Sequence, residues 1–130
     1  GEPYLPSELG GGNWMAPTVI SGLSPYSRCS TEEIFGPVVT LHRFETEDEA
    51  LEIANCTRYG LAGSVWTGDL GRGKRFSKSI ETGMVWINAW LHRDLRVPFG
   101  GVKDSGVGRE GGKWSLGFFS EAMNVCVKHD

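Results

Sequence analysis

Apolar positions are spread unevenly along the 130 residues, and their spacing changes character near residue 38. Before it, Pro3, Pro6, Pro17 and Pro25 and the run Gly10-Gly11-Gly12 punctuate the chain, and only residues 15–20 read as a short strand. Too few periodic apolar residues occur there to cover a face of an independent unit, so most of this segment is expected as loop. Val38, Val39, Leu41 and Phe44 then form an extended apolar run, and Thr46-Glu47-Asp48-Glu49 matches a capping box. In that motif the threonine hydroxyl takes a backbone N–H that the first helical turn leaves unpaired, so a helix is expected to start there. Ala50, Leu51, Ile53 and Ala54 give it one buried stripe, and it stops before Tyr59-Gly60.

Residues 61–66 read as a buried strand. Asp69 is placed to cap a second helix with Leu70, Phe76 and Ile80 inward, Lys74, Arg75 and Lys78 toward its negative end, and Gly83 as its stop. Residues 84–87 make a third strand that ends at Asn88. A long irregular stretch, 89–112, follows, and a helix near 113–119 and a closing strand at 123–127 finish the pattern. Strands alternating with helices indicate crossovers onto a parallel sheet, so the fold class expected is α/β, a parallel-type sheet with flanking helices. In such sheets ligands gather beyond the carboxyl ends of the strands, which directs attention to the stretch after Asn88.

Composition narrows the partners. Hydrophobic residues at 39% and charged residues at 22% suit a globular chain rather than a disordered or collagen-like one. Nineteen glycines, about twice the usual share, argue against a simple helical bundle. Thirteen basic against sixteen acidic residues leave a net charge of −3 without a basic stripe, so nucleic acid is a poor partner. No apolar run approaches a bilayer span and the first residues lack the pattern of a signal peptide, so no membrane partner and a cytoplasmic location are expected. Cys29, Cys56 and Cys126 are odd in number and widely spaced, which supports neither a disulfide framework nor a metal site.

Several candidates for chemistry remain. Gly106-Val107-Gly108-Arg109-Glu110-Gly111 fits G-x-G-x-x-G, but a loop rather than a strand precedes it, so a glycine-rich connector is the better reading. Cys29 beside Glu32 and Glu33 suggests a nucleophile, yet only Arg28 is near to stabilise a thiolate, and a small half-buried side chain is the simpler account. His42, His92 and His129 are scattered. In Glu32-Glu33-Ile34-Phe35-Gly36-Pro37-Val38, a carboxylate could take both ribose hydroxyls and a ring could support a flat heterocycle, though a solvated acidic pair and a core phenylalanine fit equally. Arg93 and Arg96 flank Asp94 near Trp90 and Phe99. Their planar forks suit an acidic substrate, but spacing alone favours a surface salt bridge with Asp94.

Taken together, residues 12–18, the E-E-I-F-G-P-V run at 32–38, Tyr59-Gly60-Leu61-Ala62, Gly83-Met84-Val85-Trp86-Ile87-Asn88 and the segment 98–110 resemble, in order, the C-terminal portion of an NAD(P)-dependent aldehyde dehydrogenase. The resemblance implies that Glu33 binds the nicotinamide ribose hydroxyls, that Phe35 packs near the nicotinamide, and that 88–99 shapes a substrate tunnel. In the family a cysteine thiolate attacks the aldehyde, hydride passes to the nicotinamide, and a glutamate activates water to release the acid. Neither the motif around that cysteine nor the one around that glutamate occurs in this chain. No catalytic residue is therefore assigned within it, and the 130 residues alone are expected to be inactive.

Residues 90–96 and the ending Asn124-Val125-Cys126-Val127-Lys128 look most like the 2-aminomuconic and 2-hydroxymuconic semialdehyde dehydrogenases, whose substrates carry a carboxylate. By that resemblance Arg93 holds the carboxylate, with Phe99 and Asn88 as wall residues. The cofactor expected is NAD, with NADP also open. The resemblance further implies that residues 1–104 belong to the catalytic domain, 105–120 cross toward the coenzyme domain, and 121–130 supply an oligomerisation strand. The partners expected are a small aldehyde, the remainder of the enzyme, and further copies in a homo-dimer or homo-tetramer. The alternative from another class is a truncated noncatalytic homologue that binds partners or stabilises an oligomer.

Overall fold

A computed structural model describes residues 12–130. They form two compact units that divide between Arg58 and Tyr59. The first contains β1 (Thr18–Ser21), α1 (Arg28–Thr31), β2 (Val38–Leu41) and α2 (Glu47–Asn55). β1 and β2 run parallel, in register from Thr18 opposite Val38 to Ser21 opposite Leu41. Alternation along both strands puts Thr18, Ile20, Val38 and Thr40 on the more buried face and leaves Val19, Val39 and Leu41 exposed on the other.

The start of α2 follows from its sequence. Thr46 Oγ1 accepts from the Glu49 N–H at 3.1 Å, and Glu49 Oε2 accepts from the Glu45 N–H at 2.7 Å, closing the box one residue upstream of the cap. Ala50, Leu51, Ile53 and Ala54 are half-buried as their spacing requires, and the helix stops at Asn55. The Tyr26 hydroxyl donates to Glu52 at 2.5 Å and ties the helix to the turn before α1.

The second unit contains β3 (Tyr59–Gly60), β4 (Ala62–Val65), α3 (Leu70–Ser79), β5 (Met84–Ile87), β6 (Val102–Lys103) and α4 (Gly112–Phe118). β4 and β5 are parallel, with Ala62 opposite Met84 and Val65 opposite Ile87, and α3 is the crossover that packs on them. Asp69 caps α3 by accepting from the N–H groups of Gly71 at 2.8 Å and Arg72 at 3.2 Å. These two bonds hold its carboxyl below the usual aspartate range. Gly73 is buried where the helix meets the sheet, and a Cβ there would lie 2.9 Å from Ile87 Cγ2. The inward stripe is Gly73, Phe76, Ser77 and Ile80, whereas Leu70, expected inward, is exposed at the first position of the helix.

Other expectations need correction. β2 pairs with β1 and β4 with β5, so the parallel strands form two ladders rather than one continuous three-stranded sheet. Tyr59-Gly60, expected only to end a helix, is itself a strand that pairs antiparallel with β6. Gly83 does not stop α3, which ends at Ser79. It sits instead where its backbone is crowded against the Gly100 carbonyl, leaving no room for a side chain. Residues 121–130 are exposed and pair with no strand among the described residues. No hydrophobic residue among the described ones is fully buried. Two-stranded ladders with open apolar faces need cover from elsewhere, as expected of part of a larger body.

Candidate functional site

In the first unit, the turn from α1 to β2 builds a cleft of about 300 Å³ lined by Cys29, Glu32, Glu33, Ile34, Phe35, Gly36, Val38 and Thr40. Its two carboxylates differ. The Arg28 guanidinium donates to both oxygens of Glu32 at 2.9 Å and lowers the pKa of that carboxyl. Glu33 makes no hydrogen bond or ion pair among the described residues, so its oxygens keep their accepting capacity. Phe35 follows with φ of 53°, a left-handed conformation that a bulky residue adopts at a cost, and its ring is 93% exposed. A strained, unpacked aromatic beside an unpaired carboxylate can bind a flat ring joined to a sugar diol. Cys29 lines the same cleft as an exposed thiol, and its neighbour Arg28 directs its hydrogen bonds to Glu32.

The second unit places the other candidates beyond the carboxyl end of β5. Asn88, with φ of 53°, uses its side chain as a clasp. Its Oδ1 accepts from the Thr67 N–H and its Nδ2 donates to the Thr67 carbonyl, both at 2.8 Å. Its amide therefore joins the ends of β4 and β5, with one N–H and one oxygen lone pair left over. Ser64 Oγ donates to the Ala89 carbonyl at 2.8 Å and fixes the next residue too.

Arg93 and Phe99 come together. The guanidinium carbon lies 4.1 Å above the Phe99 ring centroid, and Nη2 is 3.8 Å from Glu110 Oε1, an ion pair too long for a hydrogen bond. Phe99 and Glu110 form an antiparallel bridge with both N–H to carbonyl bonds at 2.8 Å. Asp94 goes to Arg96 instead, through the Arg96 backbone N–H and its guanidinium, with the shortest contact at 2.6 Å. The side-chain bonds from Arg96, and then its N–H, hold the Asp94 carboxyl below its ordinary value. The salt bridge weighed for the pair of arginines thus belongs to Arg96 and leaves Asp94 out of reach as a partner for Arg93.

The glycine-rich motif is a connector. Arg109 Nη1 donates to the carbonyls of Gly101 at 2.9 Å and Gly108 at 2.6 Å, folding the segment back on itself. Sequence reasoning missed two groups around Arg93. Glu110 was seen only as part of the glycine motif, and Trp86, read as a strand residue, turns its indole N–H to the His92 carbonyl at 2.7 Å. Neither carries a local signal, because both contacts are made by chain folding.

The aldehyde dehydrogenase family model matches residues 1–125. The chain belongs to the aldehyde dehydrogenase family. It is 50% identical over 128 residues to the 2-hydroxymuconic semialdehyde dehydrogenase of Pseudomonas putida, covering 98% of this chain and 26% of that protein. With the human 2-aminomuconic semialdehyde dehydrogenase it shares 49% over 125 residues, 96% of this chain and 26% of that one. The solved aldehyde dehydrogenase of Mycobacterium tuberculosis in complex with NAD+ superposes with a TM-score of 0.83 at 43% identity, covering 90% of this chain and 24% of that one. The chain thus spans about a quarter of the length of the relatives it matches, and its α/β architecture is that of part of an aldehyde dehydrogenase. No described helix is long and apolar enough to cross a membrane.

Proposed function

We propose that this chain is the C-terminal portion of an NAD-dependent aldehyde dehydrogenase that oxidises a carboxylate-bearing semialdehyde of the muconic type to its acid. Glu33 accepts the nicotinamide ribose hydroxyls, and Phe35 offers its ring beside the nicotinamide. Arg93, seated on Phe99, takes the substrate's carboxylate. Asn88 fixes the wall by clasping Thr67. When bound, NAD supplies the hydride acceptor. The nucleophile and the water-activating base come from the remainder of the enzyme, so the 130 residues alone do not turn over. Residues 1–104 then belong to the catalytic domain and 105–120 to the crossover. Residues 121–130, with Met123, Val125 and Val127 exposed at strand spacing, add to a second copy in a homo-dimer or homo-tetramer.

The observation that carries this reading is the unequal fate of the two adjacent carboxylates: Glu32 is consumed by Arg28, while Glu33 faces the cleft unpaired beside a strained, exposed Phe35. It is tested in the full-length enzyme by Glu33→Gln with Glu32→Gln as control. Loss of a charge-assisted pair of bonds should raise KM for NAD about tenfold in the first and leave it within about twofold in the second. Equal KM values for the two variants would refute the assignment.

A further inference from the structure

We infer that Trp86 is a positioning residue for Arg93, setting preference for acidic over neutral aldehydes through its indole N–H; this rests on the reading that Arg93 holds a substrate carboxylate. Trp86 stands on β5, paired in register with Ser64 of β4, so its backbone is anchored. Its Nε1 donates to the His92 carbonyl at 2.7 Å, and that carbonyl belongs to the peptide group that leads into Arg93. The Trp86 and Trp90 rings meet edge to face, centroids 5.2 Å apart at 63°. The indole therefore grips the loop at 90 and 92, on both sides of Leu91.

Leu91 needs such a grip. Its φ of 55° is left-handed, which a branched side chain avoids unless its surroundings enforce it. Among the described residues, the bond from Trp86 is the only hydrogen bond to the backbone of residues 90–93. Upstream the loop is held at Asn88 and Ala89, and downstream by the Asp94–Arg96 clasp. Between these, one indole N–H fixes the peptide whose rotation would swing the guanidinium away from Phe99, 4.1 Å beneath it. A carboxylate fork demands angular accuracy that a neutral aldehyde does not, so loosening this peptide penalises the acidic substrate selectively.

The test uses the full-length enzyme with an acidic semialdehyde and a neutral aldehyde of similar length. Trp86→Phe keeps an aromatic edge for Trp90 and removes the donor. The ratio of kcat/KM values, acidic over neutral, should fall about five- to tenfold, carried by KM for the acidic substrate. In an Arg93→Ala background the same change should move the ratio less than about twofold, because the two residues act through one contact. Benzothienylalanine at position 86, which has the bicyclic shape but no N–H, should reproduce the loss even if Trp86→Phe fails to fold. An equal loss on both substrates, or an undiminished effect in the Arg93→Ala background, would overturn the inference. Arg93→Ala alone leaving the ratio untouched would overturn the carboxylate reading beneath it.

Discussion

Truncating Arg93 to alanine in the full-length enzyme tests the substrate assignment most directly, and the local geometry sets the size of the effect. The guanidinium is stacked on Phe99, and its side chain is 44% exposed. Its contact with Glu110, at 3.8 Å, leaves the hydrogen-bonding fork unspent. A charge-assisted pair contributes about 1.5–3 kcal/mol. Partial exposure lets water screen it, so the lower end applies, about 1.5–2 kcal/mol, or roughly 10- to 30-fold in kcat/KM. Arg93→Lys keeps the charge but loses the fork and the planar stack, and should fall between the two. The assay is initial-rate NADH formation with an acidic semialdehyde and with a neutral aldehyde. Arg96→Ala serves as comparison: its fork is taken up by Asp94, so its loss acts on the acidic substrate only by loosening the loop and should cost less than Arg93→Ala does. A loss for Arg93→Ala that is equal on both aldehydes, or below about twofold, would refute the carboxylate clamp.

The remaining predictions concern the scaffold. A Cβ at Gly83 would overlap the Gly100 carbonyl, so Gly83→Ala should cost more than about 3 kcal/mol or abolish soluble protein. Gly36→Ala meets nothing within 4 Å and should stay within about 1 kcal/mol in denaturant unfolding. Arg96 holds the Asp94 carboxyl below its ordinary value of 3.8 in the folded chain. A depressed carboxyl adds stability that is fully present above that ordinary value and is lost as pH falls through the folded one. Hydrogen exchange across residues 94–97 should therefore rise, beyond its intrinsic pH trend, as pH is lowered from about 5 to 3, and Asp94→Asn should abolish that added acid sensitivity. An identical pH response in the variant would show that the clasp does not operate in solution.

What the sequence makes legible is local chemistry. Thr46 and Asp69 start α2 and α3 where their side-chain oxygens can take first-turn N–H groups, and both do. The strands at 62–65 and 84–87 also lie where their apolar runs place them. Pairing is another matter. β2 has the same apolar character as β4, and no residue in either declares its neighbour, so two ladders form where one sheet was expected. Tyr59-Gly60 looks like a turn because glycine suits one, yet Gly60 is there because Glu81 and Val102 crowd its α-carbon. At the site, the residue types of Glu33, Phe35, Arg93 and Phe99 pointed to anion and ring recognition. Which glutamate and which arginine remain open was decided by Arg28 and Asp94, through contacts that spacing left ambiguous.

The stretch 89–112 shows how a segment with little regular structure can still hold a side chain in place. Its order comes from close backbone approach rather than a core. Gly83 admits the Gly100 carbonyl, Gly111 sits tightly against the Val97 carbonyl, and a Cβ added at Gly112 would lie 2.6 Å from the Arg96 carbonyl oxygen. Gly111 and Gly112 have φ of 99° and 48°, which suit glycine and strain other residues. The Phe99–Glu110 bridge closes the loop on itself, and the Arg109 guanidinium fills the turn by taking two carbonyls. The bridge and the Arg109 bonds satisfy backbone groups that a loop would otherwise give to water, while the glycines let the chain approach itself closely enough to be held. The glycine abundance that argued against a helical bundle is thus the means by which Phe99 is fixed beneath Arg93. Side chains on this loop can vary while its glycine-built frame stays the same.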